Sequence, residues 1–421
     1  KAFTSSGVFN TPVGDLTPGP ATPGKVYTFT VDAGRKQKLS FATMLAATND
    51  LFFAPNGNGI ALYHSDDGTP IGSIAVPVDV TSQVFLWDAG TEANEEPFLG
   101  PNTVTNQTAP NTGLADPNNK VRQLVGNSDG LHTYPAVSTM IQVMVAHTTG
   151  TLFTITITDL AGAVLGVTSD TLNHPAPLSP GVWVLSNAAN PLFTDQMPAP
   201  ALGLEALAED GNPTTLGAYA ATTSGITYPA SPGAWLIHTT GTKPLFTAGS
   251  ADYGKGLEAI AEDGNAAPLG ISLPTLSGYI TGAVFNTPVG ATTPGAILPG
   301  AKYQFTFDAK PGDSLSFASM LAATNDVFLS PGANGIALFA TDGTPVTGDV
   351  SSLVSLWDAG TEGNEEPGIG PNTVTNQLAP NTGTAGEGKV QLLSAVTTDT
   401  YSYPSAQSVL KVTLATNLAT N

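Results

Sequence analysis

The chain has no cysteine in its 421 residues. That excludes disulfides, thiolate metal sites and cysteine nucleophiles. Charge is scarce as well, at 11% of residues, against roughly 25% in ordinary soluble proteins. Positive charge is the scarcer sign: 13 Lys and Arg stand against 33 Asp and Glu, a formal net charge of −20. Nucleic acids and anionic lipids are contacted mainly through Lys and Arg, so no nucleic-acid partner is expected. Divalent cations, in contrast, suit such a chain. No run of about 18 apolar residues is present, so no membrane span is expected. The most apolar region, Met140 to Val167, is interrupted by Thr, Gly, His and Asp159. Long helices have little room, because 46 Gly and 34 Pro break helix interiors. Short strands joined by many turns fit the composition, in a chain long enough for two or three domains.

What the chain does have is repetition. "GVFNTPVG" at 7–14 returns as "AVFNTPVG" at 283–290, and "LSFATMLAATNDLF" at 39–52 as "LSFASMLAATNDVF" at 315–328. A shorter pair lies between these: "SPGVWVLSNAANPLF" at 179–193 with "SPGAWLIHTTGTKPLF" at 231–246, and "GLEALAEDGN" at 203–212 with "GLEAIAEDGN" at 256–265. The order long, short, short, long implies duplicated domains. Alternation with period two predicts strands at 25–33 ("KVYTFTVDA"), 301–309 ("AKYQFTFDA") and 151–160 ("TLFTITITDL"). Each long copy also ends in an alternating stretch, "STMIQVMVAHT" at 138–148 and "QSVLKVTLATN" at 407–417. "GLEALAEDG" predicts a turn of helix, with Leu204, Leu207 and Ala208 on one face and Gly211 as its cap. The fold class expected is all-β, two antiparallel β-sandwich domains with long loops and short helical turns.

Acid is concentrated in one place per copy. "LWDAGTEANEEPFLGPNTVTNQTAPNTG" (86–113) carries Asp88, Glu92, Glu95 and Glu96 with no Lys or Arg beside them. "LWDAGTEGNEEPGIGPNTVTNQLAPNTG" (356–383) keeps all four, as Asp358, Glu362, Glu365 and Glu366. Such loops are compatible with solvated turns, but four mutually repelling acids retained through duplication point to a hard cation. Calcium takes six to eight oxygen ligands. Asp88 and Glu92 lie four apart across a Gly-containing turn, which permits convergence on one ion. The "MLAATND" segments end in Asp50 and Asp326, read either as Asx-turn caps or as further carboxylates for that ion. The paired acids of "AEDGN" (Glu209, Asp210, Glu262, Asp263) read as ordinary turn chemistry. Trp87, Trp183, Trp235 and Trp357 all lie in repeats and read as core anchors rather than carbohydrate platforms.

Together, "SFATMLAATND", "LWDAGTEANEEP" and "GLEALAEDGN" resemble the spondin N-terminal domain family. The resemblance implies an extracellular C2-like β-sandwich that binds calcium in loops at one end. It places calcium ligands at Asp50, Asp88 and Glu92, and at Asp326, Asp358 and Glu362, hence about two ions per chain. Animal members carry Asp where Glu92 and Glu362 stand, and they carry disulfides. Glu95, Glu96, Glu365 and Glu366 are further candidate ligands that the resemblance does not assign. In that family the "AEDG" segment precedes the "MLxxTND…DAGTE" segment. Residues 226–421 keep this order, while residues 1–225 invert it, with the late half at 1–148 and the early half at 149–225: a circular permutation.

No catalytic constellation accompanies these motifs. The five histidines, His64, His132, His147, His174 and His238, do not recur between copies. Nucleophile-elbow, zincin and phosphate-loop patterns are absent, and no enzyme is expected. The sequon Asn106-Gln107-Thr108 is lost in the second copy and reads as chance. The chain begins at Lys1, as a secreted protein does after its leader is removed, and an extracellular location is expected.

One strand has no second copy. "TLFTITITDL" precedes the first short repeat, whereas "TTSGITYPASPG" precedes the second and cannot replace it. One sandwich is thus expected to lack a strand, and an open sheet edge invites one from another chain, with 407–417 as the candidate donor. The function expected is a structural subunit of a filament or matrix that homo-oligomerises through edge strands. The competing reading is a monomeric calcium-dependent adhesin with a glycan or matrix partner.

Overall fold

The computed structural model describes residues 1–416. The chain divides into two compact units, 1–225 (unit 1) and 226–421 (unit 2). Each is an antiparallel β-sandwich with a few short helices.

Unit 1 contains thirteen strands in chain order: β1 (Ser5–Phe9), β2 (Val26–Asp32), β3 (Lys38–Leu45), β4 (Leu51–Pro55), β5 (Ile60–Ala61), β6 (Val78–Asp79), β7 (Val84–Asp88), β8 (Arg122–Gln123), β9 (Ile141–Thr149), β10 (Leu152–Asp159), β11 (Val164–Val167), β12 (Asn173–Pro175) and β13 (Leu178–Ser186). Its helices are α1 (Val137–Met140), α2 (Leu204–Asp210) and α3 (Thr214–Thr223). The main sheet runs β1-β13-β3-β4-β7-β8, with β5 on β3. The second sheet runs β2-β10-β9-β6. Strand β10 shows why the two sheets close. Its period-two pattern buries Phe153, Ile155 and Ile157 completely while Thr154, Thr156 and Thr158 are only half-buried. The buried row meets Phe41, Leu45 and Trp183 of the main sheet in one core. The other face of the main sheet packs on α2 and α3 through Leu204, Leu207 and Leu216. As the sequence predicts, α2 is short and ends in a left-handed Gly211 (φ 64°), whose N–H returns to Leu207 O at 3.1 Å.

Unit 2 contains β14 (Ala230–Thr239), α4 (Leu257–Asp263), α5 (Ala267–Ser272), β15 (Tyr279–Phe285), β16 (Asp313–Leu321), β17 (Val327–Ser330), β18 (Ile336–Ala337), β19 (Gly348–Asp349), β20 (Ser355–Asp358), β21 (Gln391–Leu392), α6 (Ala406–Val409) and β22 (Thr413–Leu414). Its main sheet, β15-β14-β16-β17-β20-β21 with β18 on β16, repeats that of unit 1. The element order differs: β14, equivalent to β13, comes first in unit 2, whereas β13 is the last strand of unit 1 and is followed there by α2 and α3.

The second sheets part company. Among the described residues of unit 2, only β19 and β22 pair in this sheet. The predicted strand at 301–309 forms no ladder, although Tyr303, Phe305 and Phe307 keep the alternation and are half-buried. The reason is the missing neighbour, since its counterpart β2 pairs with β10 and no described segment of unit 2 takes the place of β10. The predicted strand at 407–417 is reduced to β22, preceded by α6, and Asn417 lies outside the described residues. In this chain the segment pairs with β19 of its own unit. All four tryptophans are buried.

Candidate metal site at the acidic loops

Asp50 immediately precedes β4 and Asp88 ends β7. These strands pair with Leu51 opposite Asp88, so both carboxylates reach the same end of the sheet. In unit 2, Val327 opposite Asp358 does the same for Asp326 and Asp358. All four aspartates are fully buried, and Glu92 and Glu362 nearly so. The structure thus brings Asp50 beside Asp88 and Asp326 beside Asp358, with the backbone amides of Glu92 and Glu362 on Asp50 and Asp326.

Loop amides hold them. The N–H groups of Thr91 and Glu92 donate to Asp50 Oδ2, each at 3.2 Å. Gly90 N and Asn94 Nδ2 donate to Asp88, each at 2.6 Å. Gly113 N donates to Glu92 Oε1 at 2.6 Å, a contact that needs glycine, because a Cβ there would stand 2.0 Å from Glu92 Oε2. Unit 2 repeats the scheme with Glu362 N on Asp326 (3.1 Å) and Asn364 on Asp358 (2.8 Å).

Of the further candidates, Glu95 and Glu365 are engaged elsewhere. Both oxygens of Glu95 accept from Asn102, at 2.8 and 2.6 Å, and Glu365 accepts likewise from Asn372. Glu96 holds Ser169, and Glu366 is half-buried.

Two participants escaped the sequence. The first is Glu209 with its counterpart Glu262, read above as turn chemistry. They are 1% and 2% exposed, and no hydrogen bond of standard geometry reaches either carboxylate, although the Thr91 and Thr361 hydroxyls lie close enough to lower their pKa values against burial. Burial pushes Glu209 up to about 8, with the Glu92 charge adding to it. Burial pushes Glu262 up to about 7, with Glu362 adding. Both end a helix, where the dipole also disfavours an anion. The available signal was a Glu inside the apolar face of a helix, kept in both copies. The neighbouring aspartates are structural: Asp210 and Asp263 accept from Gln107 and Gln377 at 2.9 and 3.0 Å, tying the acidic loop to the helix.

The second is Arg122, which corrects the expectation that no cation lies near. It pairs with Asp88 at 2.5 Å and Asp116 at 2.7 Å. In unit 2 these positions are Gln391 and Gly386, and no cation faces Asp358 among the described residues. The electrostatics follow. Burial pushes Asp50 and Asp326 well above the carboxylate range, and the adjacent Asp88 or Asp358 pushes further. Burial raises Asp88 despite Arg122, and raises Asp358 to about 6.

The same oxygens are orphaned in both units: Asp50 and Asp326 Oδ1, the Glu209 and Glu262 carboxylates, and Asn94 and Asn364 Oδ1. Buried oxygens without donors call for a proton or a cation. An all-oxygen set of this kind fits a hard divalent ion. Among the described residues, no three His, Asp or Glu side chains are already gathered in metal-ligating geometry. No protein-family model matches the chain, and no curated protein is significantly similar to it.

Proposed function

We propose that the chain is a secreted, calcium-binding structural protein with a spondin-like fold, and that it assembles with further chains through sheet edges. Each acidic loop would hold one ion, through Asp50, Asp88, Glu92 and Glu209 in unit 1 and Asp326, Asp358, Glu362 and Glu262 in unit 2. The observation that carries the reading is the buried carboxylate set, present twice with the same unpaired oxygens. A hard cation neutralises such a set and cross-links loop, sheet and helix, while some loop amides exchange their carboxylate contacts for water. Assembly is supported by the unpaired segment of the second sheet in unit 2.

The test is elemental analysis after exhaustive dialysis against metal-free buffer, followed by calcium titration. About two ions per chain are expected; a metal-free protein that ignores added calcium would return the loops to surface-turn duty. Electron microscopy with calcium then separates a polymer from a monomeric adhesin.

A further inference from the structure

In unit 1, β10 lies between β2 and β9 and is antiparallel to both. Ile155 stands opposite Phe29 and Val145, and Ile157 opposite Tyr27 and Val143. The flanks recur in unit 2. Residues 302–308 follow the course of β2: Tyr303 Oη donates to Gly295 O as Tyr27 Oη does to Gly19 O, and Phe305 stacks on Trp235 at 4.8 Å as Phe29 does on Trp183 at 5.5 Å. Residues 409–414 follow β9, with Thr413 and Leu414 paired on β19 as Met144 and Val145 pair on β6.

Among the described residues, no strand lies between them. Tyr27, Ile141, Val143 and Val145 are fully buried, whereas their counterparts Tyr303, Leu410, Val412 and Leu414 are half-buried. Within the described residues, the backbone groups of 303–309 make no hydrogen bonds. A half-buried aromatic row with an unpaired backbone on one side is an edge shaped for a strand.

We infer that unit 2 accepts an extended segment of another polypeptide, seated between 302–308 and 410–416, antiparallel to both, with large apolar side chains at three alternate positions. Strand β10 states the chemistry of the occupant, which resembles Phe153-Thr-Ile155-Thr-Ile157. The β10 of a second copy does not serve, because lending it would open unit 1 to the same degree. The inference deepens the assembly half of the proposed function and is independent of its metal half.

The test is a synthetic peptide of residues 151–160 added to the full chain in excess chelator, followed by calorimetry and sedimentation. One peptide per chain is expected to bind and raise the unfolding temperature. In unit 1 the covalently attached β10 outcompetes it through its effective concentration. A peptide with Asp at the positions of Ile155 and Ile157 should bind at least roughly tenfold more weakly. So should a peptide N-methylated along one edge, a control that leaves the protein untouched. Phe305→Asp should abolish binding while β-sheet circular dichroism persists. If the purified chain is already associated, excess peptide should release monomers. Equal binding of the substituted peptides would overturn the inference, as would neither binding nor release. Peptide binding by a chain that never polymerises would keep the acceptor and sink the filament. Polymerisation by a chain that binds no peptide would keep the filament and overturn the acceptor.

Discussion

The two acidic loops share almost every residue and differ in how their charge is balanced. In unit 1, Arg122 reaches Asp88 and Asp116 from the neighbouring strand. In unit 2, Gln391 and Gly386 take those places, and Glu387 adds a further negative charge beside Asp358. One loop carries part of its own neutralisation, whereas the other depends on protons or an ion. Neutralisation by arginine and neutralisation by metal are alternatives, so unit 2 is expected to depend more steeply on calcium.

The largest effect should come from breaking the balance in opposite directions. In chelator, Asp88→Asn leaves the Arg122 guanidinium with Asp116 alone and should cost about 3 kcal/mol, lowering the melting temperature by about 6–12 °C. Asp358→Asn removes a repelled carboxylate and should leave the metal-free protein as stable or more so. Matching losses from both substitutions in a thermal scan would erase the proposed asymmetry.

Next in size is calcium itself. A hundredfold excess over Kd should stabilise each site by about 2.7 kcal/mol, or about 5–10 °C. With calcium present, Asp88→Ala and Asp358→Ala should each lose one site by calorimetric titration. Exchanging the cation sharpens the comparison further. Arg122→Gln should tighten calcium binding in unit 1, and Gln391→Arg should weaken it in unit 2, each by about tenfold. Unchanged affinities would place the ion away from Asp88 and Asp358.

The smallest effect is on pH. Burial raises Asp358 to about 6, Glu262 to about 7, and Glu209 and Asp159 to about 8. The folded chain therefore keeps protons that the unfolded chain has released. The associated stability is full below the ordinary carboxylate range and is lost as pH rises through about 6 to 8. Metal-free protein should melt earlier at pH 8 than at pH 5, and saturating calcium should flatten or reverse the trend. A metal-free protein that gains stability over that interval would contradict the buried-acid reading.

The sequence made Asp88 and Glu92 legible because they are local, whereas Asp50, which lies between β3 and β4, was singled out only by the family resemblance of its "MLAATND" segment. It left Glu209 unread, because Asp-Gly after a helix is common turn chemistry and the burial of the preceding glutamate depends on where the helix docks. Arg122 stayed hidden for a similar reason. It stands 34 positions beyond Asp88 in the chain and becomes its neighbour only through the pairing of β7 with β8.

By itself the sequence determined the all-β class, the duplication, the paired acidic loops and the absence of a second β10. These rest on composition, repetition and local periodicity, which are properties of consecutive residues. Tertiary structure alone decided that 301–309 pairs with no described strand, that 410–414 runs beside β19, that Arg122 answers Asp88, and that Glu209 and Glu262 lie buried. Ladders, ion pairs and desolvation are relations between distant segments, and they exist only once strand register and packing bring those segments together.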